Sequence, residues 1–521
     1  MKVITESGLG FKVLSLKVWD HKILGSNTFL FANPSDKENE LYLSVIIGAN
    51  GTGKSEIFRM LLTVLRTAYL NFYQGKQAAS KVAFELTYAN HGEVYVLGNA
   101  IRFQNGALNS FASLILKKGS DTLDLATQLD IAKSSLPLAV VGNSFLLMDK
   151  FIFPRNNEFK IYSYLGVRNR PQQASTRSYI KKIVELVVKG VEEFNFLNGL
   201  QQISQLFGKT NQMFIRYETR LTTKFFTGRI KPNQFDEYFS SIEAQYKKSE
   251  KQPPFKLSNY KRIKTQLDSI QQICDFLNDL VNNHRLESKQ YRKSSRSLIY
   301  NVTDSESHTE MRSEYQLLKW LGELQLLSTP TILMGSEAEY GLEESSSGEF
   351  HLVSTFIGLM ASIKPYSLIM IDEPEISLHP NWQMQFIDIL RSIFKNEAYR
   401  TCHFIVATHS HFIVSDLPGK TSHLLGLKKE EGKLEVVKMN PDIDTFGWSA
   451  EEVLYKIFNV RTSRNFYIEN NLRELLYLIS IKSIEKNKIQ ELLDALTPIM
   501  LNERDPLNQV IQGAKKYLMS I

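Results

Sequence analysis

Eight residues constrain this chain more than any other feature. Gly48-Ala49-Asn50-Gly51-Thr52-Gly53-Lys54-Ser55 has the form G-x-x-x-x-G-K-S, between the apolar run Leu43–Ile47 and a helical repeat in which Ile57, Leu61, Val64, Leu65 and Ala68 share one face. A strand, a glycine-rich loop and a helix in that order make a phosphate cradle. The glycines let backbone N–H groups close round an anion, and the helix N-terminus adds a positive dipole. Lys54 can then reach β/γ oxygens and the Ser55 hydroxyl can ligate magnesium. Asn50, Gly51, Thr52, Gly53, Lys54 and Ser55 are the expected nucleotide-binding residues.

Three further elements have the composition that phosphate chemistry needs. Leu368-Ile369-Met370-Ile371 is an apolar strand ending in Asp372-Glu373. A buried strand delivers Asp372 to a magnesium ion, while Glu373, one residue on, points to where an attacking water lies in line with a γ-phosphate. Ser345-Ser346-Ser347-Gly348-Glu349 opens a helix with the apolar face Leu352, Val353, Phe356 and Met360. Small residues at a helix start leave N–H donors open for an anion. Phe404-Ile405-Val406-Ala407 is another apolar strand, and it ends at Thr408-His409-Ser410, where an imidazole can hydrogen-bond a γ-phosphate oxygen. Alone, a paired acid is ordinary turn chemistry and a strand-end histidine is ordinarily a satisfied core group. With the glycine-rich loop upstream, Glu373 and His409 become the expected catalytic residues, Ser55 and Asp372 the expected metal ligands, and Ser346, Ser347 and Gly348 further nucleotide contacts.

In chain order these elements resemble the ABC-class ATPases: phosphate loop, signature, Asp-Glu strand, switch histidine. Glu373-Pro374-Glu375-Ile376-Ser377-Leu378-His379-Pro380 is similar to the acidic strand end and D-loop of the soluble, AAA-type branch that includes RecF, the SMC proteins and the OLD-type ATPases. Ser345 stands where that family usually has Leu, and Ser347 where it has Gly; Ser-Ser-Gly-Glu is common in the OLD-like branch. Within it the chain looks most like the PtuA-type ATPase subunits of Septu antiphage systems, which also accompany some retrons. The resemblance implies an α/β fold: an ABC-type P-loop NTPase head with a mixed sheet core and an antiparallel β subdomain, plus a helical insertion and a helical C-terminal tail. It implies a homodimer or higher homo-oligomer, paired head to tail so that Ser346 and Gly348 of one protomer face the γ-phosphate held by Lys54 of the other. It further implies ATP and Mg2+ as ligands, hydrolysis of ATP, an HNH nuclease subunit encoded alongside, and DNA or retron nucleic acid as a further partner. RecF-like DNA repair and an OLD-type ATPase-nuclease are the alternatives.

The expected layout is 1–175 for the N-terminal part of the ATPase domain, 176–335 for a basic helical insertion, 336–445 for the C-terminal part of the ATPase domain and 446–521 for a helical tail. Between Lys209 and Lys264 thirteen Lys or Arg face five acids, with aromatics from Phe214 to Tyr260 interleaved. Two readings stand: a surface for phosphates and bases, or a solvated basic face around core aromatics. Ile263, Leu267, Ile270, Cys274, Leu277 and Val281 are spaced 4-3-4-3-4, enough for a helical hairpin or a dimer contact and far short of an SMC coiled coil. The tail opens with a capping box, Ser449 to Glu452, and carries the apolar face Leu472, Leu475, Leu476 and Ile479. Asp442-Ile443-Asp444 is the one hint of a built-in nuclease, and it reads as turn or cap chemistry, so no intrinsic nuclease is expected. No run approaches the ~18 apolar residues of a membrane span, and Met1 to Leu9 lacks the pattern of a secretory signal. With two cysteines, Cys274 and Cys402, no disulfide framework arises, and a cytoplasmic location is expected.

Overall fold

The computed structural model describes residues 10–33, 41–99, 101–102, 108–109, 113–153, 158–170, 173–191, 196–206, 212–219, 225–248, 252, 254–288, 296–335, 340–415, 417, 421–437, 452, 466–496 and 506–520. The chain divides into two compact units, Met1–Phe446 and Gly447–Ile521. Asp442, Asp444 and Ser449, singled out above, lie outside the described residues.

A seven-stranded sheet organises the larger unit. Edge to edge it runs Tyr162–Tyr164, Ala139–Ser144, Ser367–Asp372, His403–Thr408, Tyr42–Gly48, Ser422–Glu430, Lys433–Val437. All neighbours are parallel except the last pair. The strands Tyr42–Gly48, Ser367–Asp372 and His403–Thr408 are buried at every position. They read as continuous apolar runs because both faces of a parallel sheet are covered. Register pairs Asp372 with Ala407 and Thr408 with Ile47. Three motifs far apart in sequence thus finish at one carboxyl edge, where open α/β sheets take their ligands.

A six-stranded antiparallel sheet, from Gly25–Leu30 through Lys12–His21, Ala83–Asn90, Glu93–Gly98 and Ile115–Lys118 to Asp121–Thr122, forms a second layer. The helix Lys54–Gln74 shares a core with both sheets, including Ile46, Leu368 and Ile405 of one and Leu16, Val18 and Phe84 of the other. Its five expected core positions are fully buried, and so are Phe58, Met60, Leu62 and Phe72, because two layers cover the helix rather than one.

Between the two halves of the seven-stranded sheet, the helices Thr176–Gly190, Phe196–Leu206, Pro232–Lys248, Phe255–Lys264, Ser269–Asn282 and Ser305–Glu323 accompany a five-stranded sheet. That sheet departs from the all-helical pattern expected of 176–335. Its central strand, Met213–Glu218, alternates buried and half-buried positions over only six residues, too short a period-two signal to stand out beside polar helices. The 4-3-4-3-4 run is interrupted: Leu267 is 87% exposed in the turn between two short helices, and Asp268 takes a left-handed φ of +53°. A helical hairpin results.

Several of the interleaved aromatics of the basic stretch are core, while Phe255 is exposed. Phe225, Phe235, Phe239 and Tyr260 are buried, with Phe239 and Tyr260 stacked at 4.0 Å. Lys261 pairs with Glu243 at 3.0 Å, Arg262 with Glu323 and Lys264 with Asp236. Among the described residues, these buried rings and paired cations are features of a solvated face around core aromatics.

In the smaller unit the helices Phe466–Ser480, Lys486–Leu496 and Pro506–Ser520 pack round Leu475, Ile489, Leu493, Leu496 and Ala514. Leu476, expected on that face, is instead exposed. Among the described residues no helix is long and apolar enough to cross a membrane.

Candidate functional site

The loop after the strand Tyr42–Gly48 is shaped by its glycines. Gly51 and Gly53 adopt φ of +77° and +102°, and a methyl on Gly48 would stand 2.6 Å from the Leu427 carbonyl oxygen. Thr52 closes the turn by donating its hydroxyl to the Ala49 carbonyl at 2.8 Å. Lys54 is 3% exposed and folds its ammonium over the loop, donating to the Gly48 carbonyl at 2.8 Å and the Ala49 carbonyl at 3.3 Å. Those carbonyls offer the kind of acceptor a phosphate oxygen would. Burial lowers the Lys54 pKa, with Glu373, Asp372 and Glu375 acting against it. The loop lysine and the acidic strand end therefore share one electrostatic site.

Asp372 is 1% exposed, and among the described residues neither carboxylate oxygen meets a hydrogen-bond donor. Its carboxyl is pushed up to about 7, chiefly by burial; the Ser55 hydroxyl is near enough to pull the other way. A buried carboxylate without partners is costly unless something cationic completes it, so the Ser55 and Asp372 pair fits a hard divalent ion. Glu373 follows in a left-handed conformation, φ +51°, its amide donating to the Ala407 carbonyl at 2.8 Å. A non-glycine residue there costs about 1–2 kcal/mol, and the tie to the neighbouring strand end holds it in place.

Glu375 is a residue that sequence reasoning left without a role. It is buried, and Oε1 accepts the His409 amide at 2.7 Å and lies 3.0 Å from His409 Nδ1. His409 Nδ1 is also 3.8 Å from Glu373 Oε1. A carboxylate on Nδ1 fixes the ring and leaves Nε2 for a ligand. The Glu-Pro-Glu run at 373–375 was the only sequence signal. The structure thus brings Lys54, Ser55, Asp372, Glu373 and His409 together and adds Glu375.

Two histidines were missed altogether. His21 Nδ1 accepts the amides of Ile23 and Leu24 at 3.2 and 3.0 Å, and Nε2 lies 3.3 Å from Glu56. This shapes a hairpin tip whose Leu24 and Ile23 side chains would lie 3.1 and 3.6 Å from a Cβ on Gly53 of the phosphate loop. His351, on the helix Ser347–Ser362, lies 2.6 Å through Nδ1 from the Ile376 carbonyl, a contact that needs the proton on Nδ1. Gly348 faces the same turn: a Cβ there would be 2.6 Å from the Ser377 carbonyl oxygen. The signature helix is thereby fastened to the segment after Glu373. Ser346 caps this helix in a reciprocal capping box with Glu349, and Ser345 donates to the Leu342 carbonyl at 2.6 Å. Ser346 and Ser347 remain exposed, so these contacts are local and do not join the signature turn to Lys54.

Burial lowers His351 from 6.5 to about 4, against the pull of its bond to Ile376, and burial lowers His21 and His403 too. Groups held neutral in the fold but free to protonate when unfolded stabilise fully above the unfolded value, and the gain fades as pH falls toward the folded one. We expect the melting temperature to drop as pH falls from 6.5 to 4, His351 alone contributing roughly 3 kcal/mol over that window. His351→Asn should flatten the slope. A thermal melt that is level over this range would show that these rings are not held neutral.

Comparison with known proteins gives matches of partial extent. A family model described as an AAA ATPase domain matches residues 349–414. The Septu protein PtuA of Bacillus thuringiensis is 26% identical over 150 residues, 28% of this chain and 35% of that protein. Protein ea59 of Escherichia phage lambda is 27% identical over 142 residues, 27% of this chain and 26% of its own length. The Escherichia coli protein named "Retron Ec83 probable ATPase" is 26% identical over 159 residues, 28% of each chain. This chain therefore spans about a quarter to a third of the curated relatives it matches. Among solved structures, the recombination mediator RecF aligns over 83% of this chain and 100% of its own, at 12% identity and a TM-score of 0.28.

Proposed function

We propose that this chain, an ABC-class AAA-type ATPase resembling PtuA, binds and hydrolyses ATP as a subunit of an antiphage defence complex and controls a separately encoded HNH nuclease. The observation that carries the ATPase reading is the convergence of Lys54, Asp372, Glu373 and His409 on one sheet edge, with the buried Asp372 carboxylate unpartnered beside Ser55. Asn50 to Gly53 cradle the β and γ phosphates and Lys54 neutralises them. Ser55 and Asp372 would hold Mg2+, which would supply charge stabilisation at the phosphoryl oxygens when bound. Glu373 takes the proton of the attacking water. His409, oriented by Glu375 at Nδ1, donates from Nε2 to the γ-phosphate as the imidazolium, which carries a proton on each ring nitrogen. Ser346, Ser347 and Gly348 serve a second protomer's nucleotide.

The defence reading rests on the likeness to PtuA and to the retron protein, and it makes this chain the nucleotide-controlled part of an assembly whose cutting activity sits in another subunit. Its test has two arms. Purified chain should hydrolyse ATP in a Mg2+-dependent way and lose nucleotide binding in Lys54→Ala. The same chain should leave DNA intact until the HNH protein encoded beside it is added. Unchanged ATP turnover in Lys54→Ala would remove the first half; DNA cutting by the repurified chain that is lost in Asp442→Ala would replace the second with a built-in nuclease.

A further inference from the structure

A cavity of about 240 Å³ lies away from the phosphate loop, between the helices Thr176–Gly190 and Ser305–Glu323 and the strand Met213–Glu218. Water fills such a space readily, about eight molecules at ~30 Å³ each, so volume alone says nothing of a ligand. Its walls say more. Lys181, Lys182 and Lys319 line it together with Glu185 and Glu323, and both acids already have cations of their own outside the cavity's lining: Lys189 lies 2.7 Å from Glu185, and Arg262 holds Glu323. Lys182 still feels the charges of Glu185 and of Asp149, whereas Lys181 and Lys319 form no ion pair with either acid of the lining. Lys182 donates to the Gly166 carbonyl at 3.1 Å and its ammonium sits 4.7 Å from the Tyr164 ring centre. Burial lowers Lys182 to about 8, against the pull of the Asp149 and Glu185 carboxylates.

Two tyrosines complete the lining. Tyr217 is 4% exposed and Tyr315 half-buried, and among the described residues neither hydroxyl has a hydrogen-bond partner. Both hydroxyls are thus open to water or to a ligand in the cavity. Lys181 and Lys319 likewise engage no described acceptor. An ammonium can only donate, and a tyrosine hydroxyl donates readily, so Lys181, Lys319, Tyr217 and Tyr315 present four donors on different walls, beside two acids that are each already paired with a cation. A carboxylate offers two oxygens to such a set, whereas a phosphoryl group offers three around one centre and carries more charge.

We propose that this cavity, lined by Lys181, Lys182, Lys319, Tyr217 and Tyr315, is a second anion site that binds a small phosphorylated molecule. The site is distinct from the phosphate loop and goes beyond the ATPase reading without depending on it. It lies one helix from the signature: Tyr179, on the helix that carries Lys181 and Lys182, packs at 5.9 Å against Phe350 on the helix Ser347–Ser362.

Inorganic pyrophosphate is the probe, and the full chain carrying Lys54→Ala, which weakens the phosphate loop, is the protein to titrate. Calorimetry should show one saturable equivalent, weakened on the order of tenfold by Lys181→Glu or Lys319→Glu, both at exposed positions that the fold tolerates. Tyr217→Phe with Tyr315→Phe, which keeps the shape of the walls, should weaken it about threefold. Unaltered circular dichroism checks that each variant is folded. Absence of saturable binding, or binding that none of these substitutions changes, overturns the site. Equal affinity for malonate overturns the phosphoryl assignment.

Discussion

Glu373→Gln is expected to keep ATP bound while slowing turnover by a factor of about 10²–10⁴, the usual contribution of a positioned general base. Glutamine matches glutamate in shape, tolerates the left-handed φ of +51° no worse, and keeps the amide bond to the Ala407 carbonyl. What it cannot do is accept a proton. The nearby Glu375 provides the control: it too is a carboxylate at the same edge, but its Oε1 is taken by the His409 amide and lies against His409 Nδ1. Its loss should loosen the histidine and lower turnover by roughly tenfold, the scale of one hydrogen bond to an orienting group. Single-turnover hydrolysis measured beside equilibrium ATP binding separates the two. If Glu375→Gln proves the more severe and Glu373→Gln turns over like the wild type, the base has been assigned to the wrong carboxylate.

The elements legible in the sequence were those whose signals are local. Tyr42–Gly48, Ser367–Asp372 and His403–Thr408 read as largely apolar runs because the parallel sheet covers both faces, and they end on the carboxyl edge at Gly48, Asp372 and Thr408. The glycines at 51 and 53 are needed where the loop turns left-handed. What stayed hidden depends on contacts across the chain. Glu375 finds His409 at a separation of 34 residues, and His351 finds the Ile376 carbonyl at 25. Neither spacing has a period that a sequence pattern can show. The strand Met213–Glu218 was lost for a different reason: its partners, Arg296–Asn301 and Thr331–Met334, are remote, so only six alternating residues spoke for it. The basic stretch left two readings open for the opposite reason, since charge and aromatic content are visible in a sequence while the burial of Phe225, Phe235 and Phe239 is not.

Assembly should respond to a single charge at the signature turn, and the structure decides which residue should carry it. Gly348→Asp is a poor choice, because even a Cβ at that position would stand 2.6 Å from the Ser377 carbonyl oxygen and disturb the turn after Glu373 within the same chain. Ser347 is exposed and is the first residue of its helix, just after the capping Ser346. An acid there is favoured by the helix dipole by about 0.3–1 kcal/mol, so Ser347→Asp should fold at least as well as the wild type. If the signature of one protomer meets the γ-phosphate of another, the new carboxylate opposes that phosphate directly. In a Glu373→Gln background ATP should drive the chain to a dimer or larger even-numbered particle, and addition of Ser347→Asp should leave it at its ATP-free mass while ATP binding at Lys54 persists. Analytical ultracentrifugation with and without ATP reads both. Identical masses for the two proteins in ATP would place the signature turn away from the partner's nucleotide.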